Sequence, residues 1–230
     1  MQNIRWIIQN NLILEKDLQA VKNTCVENNI EFELVEVVPF STEIPDFTID
    51  QKTNIYYGST TFMYNIYNHL NKPVGLFFDD LTFSIENYFD KWKEHMLNFG
   101  SVITTFGNFI NQNYNDDKLF FIRPDADDKS FSGDVRSFGE IKEWHKKFII
   151  YDNVILTNET KIVVGEPFNI KKEWRNFIVD GKVVSSSLYR TNFKLTKSGI
   201  DIPKEMIQFV EDRCLEYQPH KIFAMDIALC

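Results

Sequence analysis

The amino-terminal part of the chain alternates short apolar runs with stretches in which apolar residues recur at helical spacing. Short apolar runs predict buried strands, whereas a recurrence every three to four residues predicts amphipathic helices. The predicted elements are a strand over Ile4 to Ile8, a helix marked by Leu14, Leu18, Val21 and Cys25, strands over Glu31 to Val38 and Ile55 to Tyr57, a helix ending near Leu70, and a strand over Pro73 to Phe78. Strands that alternate with helices indicate a small, mainly parallel α/β domain over residues 1–80.

The pattern of residues 81–230 is that of an α+β domain, with a hairpin and capped helices between short strands. Ser137 and Glu140 form a capping box for one helix, and Asp180-Gly181 favours the type I′ turn of a hairpin. The predicted elements are a helix capped by Ser84, a strand over Leu119 to Ile122, the helix after Ser137, a strand over Lys161 to Val164, hairpin strands over Trp174 to Val179 and Lys182 to Leu188, a helix after Pro203, and a strand over Ile222 to Leu229.

Composition and charge narrow the classes of function. The 230 residues carry 25 basic and 33 acidic side chains, which gives a net charge of −8. Sequence-independent binding of nucleic acid phosphates is therefore not expected to be the main function. No apolar stretch is long enough for a membrane span, and the three cysteines lack the spacing of a zinc site. We expect a cytoplasmic protein without nucleic acid or membrane partners, in which any anion is bound locally.

The first candidate for chemistry is FFIRPDADDKSFSGDV, residues 120–135. A strand delivers Arg123 at its end, and the polar loop that follows carries Lys129, Ser132 and Gly133. Backbone N–H groups near a glycine can cradle phosphate oxygens, with Lys and Arg as countercharges. The segment is either a solvated surface loop or an anion site.

The second candidate is the hairpin around Asp180-Gly181. Glu173 and Arg175 are two residues apart, so a strand places them on one face. Regular pairing around the turn predicts Arg175 roughly opposite Ser186, with Arg190 beyond the end of the ladder. Two of the six arginines on one hairpin indicate either a surface salt bridge or a binding function.

The third candidate is Asp226, which stands inside the apolar closing strand. A carboxylate in such a strand is costly unless it is paired or binds a cation. A structural partner such as an arginine and a bound hard cation are both compatible with the sequence.

Taken in order, the three segments resemble the ATP-grasp fold. The pattern is FIRPxxxxKxFxG, then ExR with a hairpin ending SxYR, then a helix begun by proline and a strand with an apolar-flanked Asp. It looks like the phage and bacterial ATP-grasp clade marked by two arginines and a lysine. The resemblance covers residues 118–229, and residues 1–80 look like the α/β domain that precedes the ATP-grasp module in such proteins.

The resemblance implies an ATP-dependent ligase that joins a small-molecule or peptide carboxylate to an amine through an acyl phosphate, with ATP and magnesium as cofactors. By analogy, Arg175 and Arg190 would neutralise the transferring phosphoryl group, and Asp226 would bind magnesium. The implied nucleotide-binding residues are Arg123, Lys129, Ser132, Gly133, Val163, Val164, Pro167 and Glu173, with the segment from Val163 to Pro167 as the adenine hinge.

One departure from the family pattern keeps other functions open. ATP-grasp enzymes usually follow the Asp strand with a strand that bears Glu-x-Asn, and here the sequence ends four residues after Asp226. We therefore expect an ATP-grasp module without its last strand or strands. The alternatives are a nucleotide-binding or interaction module without turnover and a solute-binding or regulatory α/β protein that binds no nucleotide.

Overall fold

The computed structural model describes residues 3–11, 14–38, 41–79, 81–126, 130–150, 156–200 and 202–230. The candidate Lys129 lies outside the described residues. Backbone contacts divide the chain into two compact units, Met1–Asp80 and Leu81–Cys230.

Eleven strands and six α-helices are formed by the described residues. The strands are β1 (Ile4–Gln9), β2 (Glu31–Val35), β3 (Thr53–Tyr57), β4 (Val102–Thr105), β5 (Leu119–Pro124), β6 (Asp134–Ser137), β7 (Lys161–Gly165), β8 (Lys172–Val179), β9 (Lys182–Thr191), β10 (Lys194–Ser198) and β11 (Ile222–Leu229). The helices are α1 (Glu15–Glu27), α2 (Thr60–Leu70), α3 (Ile85–Trp92), α4 (Phe106–Ile110), α5 (Phe138–Ile150) and α6 (Lys204–Glu216).

The first unit is a three-stranded parallel sheet in the order β2-β1-β3, as the alternating pattern predicts. Adjacent residues of β1 point to opposite faces of this sheet. Ile8 packs with Leu18 of α1 on one face, and Ile7 packs with Phe62 of α2 on the other. Apolar side chains therefore lie on both faces of β1, because a helix covers each face.

The fourth strand predicted over Pro73 to Phe78 is wrong. Leu76 N–H donates to the Pro73 carbonyl over 2.9 Å, which closes a turn in place of an extended strand. Asn71 and Lys72 just before it have φ angles of 50° and 57°, in the left-handed region. The apolar character of the segment serves packing instead, because Leu76 is buried in the core of this unit.

The second unit contains two sheets, and the first of them is antiparallel with the order β4-β7-β5-β6. Helices α4 and α5 cover one face with an aromatic core that includes Phe106, Phe120 and Phe148. The predicted capping box of α5 is confirmed: Ser137 N–H donates to the Glu140 carboxylate over 2.8 Å, and Glu140 N–H donates to Ser137 Oγ over 3.2 Å. Hydrogen bonding to the backbone N–H and to the side chain of Ser137 lowers the pKa of the Glu140 carboxyl group.

The other sheet of the second unit has the order β10-β9-β8-β11, and every pair in it is antiparallel. Its turn at Asp180-Gly181 has φ angles of 48° and 76°, so the predicted hairpin is confirmed. Helix α6 covers one face through Val210 and Cys214, which pack against Trp174. The face on the opposite side of the sheet, which we call the open face, carries the polar residues of the candidate site.

Candidate active site on the second antiparallel sheet

Two β-bulges in β9 set the register of the hairpin. Phe177 pairs with Ser185 and Ile178 with Val183, which leaves Val184 as an extra residue. Trp174 pairs with Leu188 and Glu173 with Arg190, which leaves Tyr189 as a second extra residue. The register predicted from regular pairing is therefore wrong, since each bulge moves the partner strand along by one position.

The corrected register brings Arg190 into the ladder. Arg175 lies opposite Ser187, and Arg190 lies directly opposite Glu173 instead of beyond the last pair. Residues paired directly across an antiparallel ladder project from the same face. The two bulges therefore place Arg190 on the open face together with Glu173 and Arg175.

Burial along β8 confirms that Glu173 and Arg175 share a face. Trp174, Asn176 and Ile178 are buried against the α6 side, whereas Glu173 and Arg175 alternate with them on the open face. The separation follows from the two-residue period of a strand. A polar surface is thus built on a strand whose other side is part of the core.

Arg175 forms a bidentate ion pair with Asp226, its direct partner on β11. Arg175 Nε donates to one carboxylate oxygen over 2.9 Å, and a terminal guanidinium nitrogen donates to the other over 2.7 Å. The two side chains remain 38% and 40% exposed, so the pair contributes at most about 1 kcal/mol to folding. The apolar strand around Asp226 therefore carries a solvent-accessible carboxylate with an arginine partner.

A second, looser ion pair lies beside the first. Arg190 Nη1 is 3.6 Å from the Glu173 carboxylate, and the Glu173 side chain is only 15% exposed. Glu173 pairs with Ala228, so Glu173 and Asp226 are diagonal neighbours on adjacent strands. Two carboxylates and two guanidinium groups consequently meet on one open face.

Tyr189 is a residue of this surface to which the sequence reasoning assigned no role, although the motif SxYR contains it. Its ring centroid lies 4.3 Å from the guanidinium carbon of Arg175 and 4.9 Å from that of Arg190. The signal in the sequence is an aromatic residue directly before Arg190 in SSSLYR. Its contact with Arg175 depends on the bulge and could not be predicted from spacing.

The other predicted nucleotide-binding residues lie on the first sheet of the second unit. Arg123 pairs with Val163 of β7, and its Nε donates to the Pro124 carbonyl over 3.1 Å. A Cβ built on Gly133 would lie 3.3 Å from Arg123 Cβ and 3.1 Å from the Phe121 ring, so the loop approaches this face of β5 closely. Ser132 beside it is exposed. Arg123 and Gly133 are therefore neighbours in the structure.

The predicted adenine hinge begins inside the sheet. Val163 and Val164 are buried in β7, which has β4 on one side and β5 on the other. Their backbone groups belong to these two ladders. Strand β7 ends at Gly165, and the chain that leaves the sheet continues with Glu166 and Pro167.

Asp125, which the sequence placed in the polar loop, is instead a buried helix cap. It is 5% exposed, and its Oδ1 accepts a hydrogen bond from Glu86 N–H over 2.8 Å at the start of α3. The predicted Ser84 cap of α3 is confirmed as well, with Asn87 N–H as donor. Burial raises the pKa of Asp125, and the hydrogen bond from Glu86 N–H opposes this effect. Lys161 and Arg123 lower this pKa by charge, whereas Glu86 raises it.

Replacing Asp125 by asparagine is expected to change how stability depends on pH. The pKa of Asp125 is higher in the folded protein than its ordinary value of 3.8, so the folded state holds the proton more tightly than the unfolded chain. Wild-type stability should therefore fall relative to Asp125→Asn as pH rises from 3.8 through the raised pKa. Urea unfolding at about pH 4 and about pH 8 measures this difference in stability.

Asp125→Ala, which removes the hydrogen-bond acceptor, should be about 1 kcal/mol less stable than Asp125→Asn at both pH values. A difference between wild type and Asp125→Asn that is the same at both pH values would contradict the assignment.

Solved structures show which class of fold this is. D-alanine–D-alanine ligase from Bacillus anthracis complexed with ATP aligns over 99% of this chain and 82% of its own, with a TM-score of 0.53 and 11% identity. A RimK domain ATP-grasp protein from Sphaerobacter thermophilus DSM 20745 aligns over 97% and 85%, with a TM-score of 0.57 and 11% identity. The ATP-grasp ligase PsnB complexed with minimal precursor aligns over 99% and 86%, with a TM-score of 0.52 and 10% identity. The protein therefore has the fold of ATP-grasp ligases.

The family follows from the sequence itself. Residues 102–230, more than half of the chain, match an ATP-grasp domain family, the second family of the clade marked by two arginines and a lysine, and the protein belongs to that family. The resemblance inferred from Arg123, Arg175 and Asp226 in their order is confirmed. No curated protein sequence matches the chain. None of the helices in the described segments is long and apolar enough to cross a membrane.

The carboxylates of the open face could bind magnesium only together with phosphate oxygens and water. The described segments contain no group of three or more His, Cys, Asp or Glu side chains that could hold a metal ion. Magnesium bound with a nucleotide uses one or two carboxylates, completed by phosphate oxygens and water. Glu173 and Asp226 share a face and fit that mode, although each has an arginine partner.

Proposed function

We propose that this protein is an ATP-dependent carboxylate–amine ligase that acts through an acyl phosphate. The observation that carries the proposal is the group of four charged side chains, Glu173, Arg175, Arg190 and Asp226, on the open face of an antiparallel sheet. Membership in the ATP-grasp family supports it. Two of the similar structures are named as ligases, one for D-alanine and one bound to a precursor, so we propose an amino acid or peptide as the carboxylate substrate.

The chemistry requires charge neutralisation more than acid or base side chains. An oxygen of the substrate carboxylate attacks the γ-phosphorus of ATP, an O–P bond forms, and the bond to ADP breaks. The nitrogen of the amine then attacks the acyl carbon, phosphate leaves, and the amine proton passes to solvent. Negative charge accumulates on the transferring phosphoryl group, and preorganised cations stabilise it.

Each side chain of the open face has a proposed role. Arg175 and Arg190 neutralise the phosphoryl group and hold the acyl phosphate. Asp226, with Glu173 beside it, would hold the magnesium ion, which when bound offsets phosphate charge. The positions of the arginines depend on the ladder between β8 and β9, and a rigid sheet fixes such positions better than a loop.

The first sheet supplies the other half of the proposed nucleotide site. Arg123, Lys129 and the backbone at Ser132-Gly133 bind phosphate oxygens. Val163 and Val164 anchor the adenine hinge through the core, and the hinge backbone that meets the base continues to Pro167. The close approach of Gly133 to Arg123 supports this assignment.

Calorimetric titration with ATP and magnesium tests nucleotide binding directly. Arg123→Ala and Lys129→Ala are each expected to weaken binding about tenfold or more, because a hydrogen bond to a charged group is worth about 1.5–3 kcal/mol. Arg136→Ala is the matched control. Arg136 lies on β6 of the same sheet and stacks on Trp144, with its guanidinium carbon 4.9 Å from a ring centroid, so its loss should leave affinity unchanged.

The outcomes separate a ligase from a binding module. ADP release with a panel of amino acids and short peptides supports a ligase, whereas MgATP binding without ADP release supports a nucleotide-binding module without turnover. Wild-type affinity in both Arg123→Ala and Lys129→Ala would refute the assignment of the phosphate loop.

A further inference from the structure

The bulge at Tyr189 gives this residue a position that regular pairing would not allow. Tyr189 is the extra residue between the pairs Trp174–Leu188 and Glu173–Arg190, so it has no direct partner on β8 in the ladder. A bulge turns the side chain of the extra residue away from the regular alternation of the strand. The half-buried ring of Tyr189 can thereby reach arginines on two different strands.

The ring contacts both guanidinium groups of the proposed phosphate site. Its centroid is 4.3 Å from the guanidinium carbon of Arg175 on β8 and 4.9 Å from that of Arg190 on β9. Both distances lie within the range of about 6 Å in which the face of an aromatic ring attracts a cation. One neutral side chain thus attracts two like charges that repel each other.

The carboxylates of Asp226 and Glu173 cannot hold the two guanidinium groups throughout the proposed reaction. Arg175 is held by Asp226 and Arg190 by Glu173. In the proposed function, the arginines turn toward phosphate oxygens, and the carboxylates are then required for magnesium. The Tyr189 ring carries no charge and does not compete with phosphate, so its contacts can persist in both arrangements.

We infer that Tyr189 is a positioning residue that holds Arg175 and Arg190 together for one phosphoryl group. The inference rests on the proposed function and deepens it, because it assigns the geometry of the arginine pair to an aromatic ring. The ring, and not the hydroxyl group, is the part that acts. A phenylalanine at position 189 should therefore preserve the function of Tyr189. A leucine, which is apolar but has no aromatic face, should not preserve it.

The test compares wild type, Tyr189→Phe and Tyr189→Leu by MgATP calorimetry, by steady-state ADP formation and by thermal unfolding. Tyr189→Phe should stay within about twofold of wild type in affinity and turnover, because the aromatic face is retained. Tyr189→Leu should lower kcat about tenfold with a smaller change in KM, because misplaced arginines affect the transferring phosphoryl group most. A merely structural role would lower the melting temperature without this split between kcat and KM.

A double-mutant cycle on kcat for ADP formation checks the mechanism. If Tyr189 acts through Arg175, then Tyr189→Leu should lower kcat by a smaller factor in the Arg175→Met background than in wild type. Full additivity, or a Tyr189→Phe variant as impaired as Tyr189→Leu, overturns the inference. Should Tyr189→Leu fail to unfold cooperatively, Tyr189→Met is measured by the same criteria.

The failure of the inference can be told from failure of the proposed function. If wild type neither binds MgATP nor forms ADP, the proposed function falls and the inference falls with it. If wild type binds and turns over ATP while Tyr189→Leu equals wild type, only the inference is overturned.

Discussion

Replacing Arg175 by methionine is expected to lower ADP formation about 100-fold or more while leaving the fold intact. The guanidinium group is proposed to neutralise the transferring phosphoryl group, and loss of one preorganised donor of this kind costs about 10²–10³ in kcat. Folding should lose little, because the pair with Asp226 is more than a third exposed on both sides. The measurement is steady-state ADP formation, with thermal unfolding recorded on the same preparation.

Two further variants make the Arg175 result specific. Arg136→Met removes the same positive charge from β6, where the side chain is 37% exposed, and should keep wild-type turnover. Arg175→Lys retains the charge but lacks the fork that bonds Asp226 twice, so its turnover should fall between wild type and Arg175→Met. Turnover in Arg175→Met above about a tenth of wild type would exclude the proposed role.

The pairing of each arginine with a carboxylate bears on the order of events in the proposed site. Both oxygens of Asp226 accept hydrogen bonds from Arg175. A metal ion that uses this carboxylate must share it with the guanidinium group or displace it. Phosphate oxygens offer the guanidinium an alternative anionic acceptor, so metal and nucleotide are expected to enter together.

The sequence predicts well those features that depend on a few adjacent residues. Asp180-Gly181 identifies its turn because both positions require positive φ, and Ser137 with Glu140 identifies the start of α5 because the two side chains satisfy each other's backbone N–H groups. Glu173 and Arg175 share a face because a strand has a two-residue period. Local rules therefore predict the secondary-structure elements and which face of the strand is polar.

The features that the sequence does not predict depend on distant partners. Tyr189 and Val184 are extra residues in a strand whose sequence pattern does not indicate a bulge, so regular pairing places Arg190 beyond the ladder instead of opposite Glu173. Asp125 lies in a polar stretch, yet it is buried because α3 begins beside it. Pro73 to Phe78 is apolar for packing and turns instead of extending. In each case, a tertiary contact overrides the local pattern.

Replacing Phe106 by alanine is expected to destabilise the second unit by about 3–5 kcal/mol, the usual cost of removing a buried phenylalanine ring. Phe106 is fully buried at the start of α4, and its ring centroid lies between 5.0 and 6.0 Å from those of Phe131, Trp144, His145 and Phe148. Alanine would leave a cavity bordered by α5, which a rigid aromatic cluster fills only in part. Urea unfolding followed by tryptophan fluorescence measures the loss, since Trp144 is one of the contacting rings.

Aromatic residues make up 15% of the chain, and several of them form this cluster. The cluster packs against β5, the strand that carries Arg123. Ile122 and Phe120 alternate with Arg123 along β5 and face the cluster, so loss of Phe106 should also weaken MgATP binding through the backbone of β5. Phe99→Ala is the control. That ring is 52% exposed, and its loss should cost about 1 kcal/mol or less. Equal destabilisation by the two substitutions would contradict the expected effect of Phe106 on folding, and unchanged MgATP affinity in Phe106→Ala would contradict its support of the proposed phosphate site.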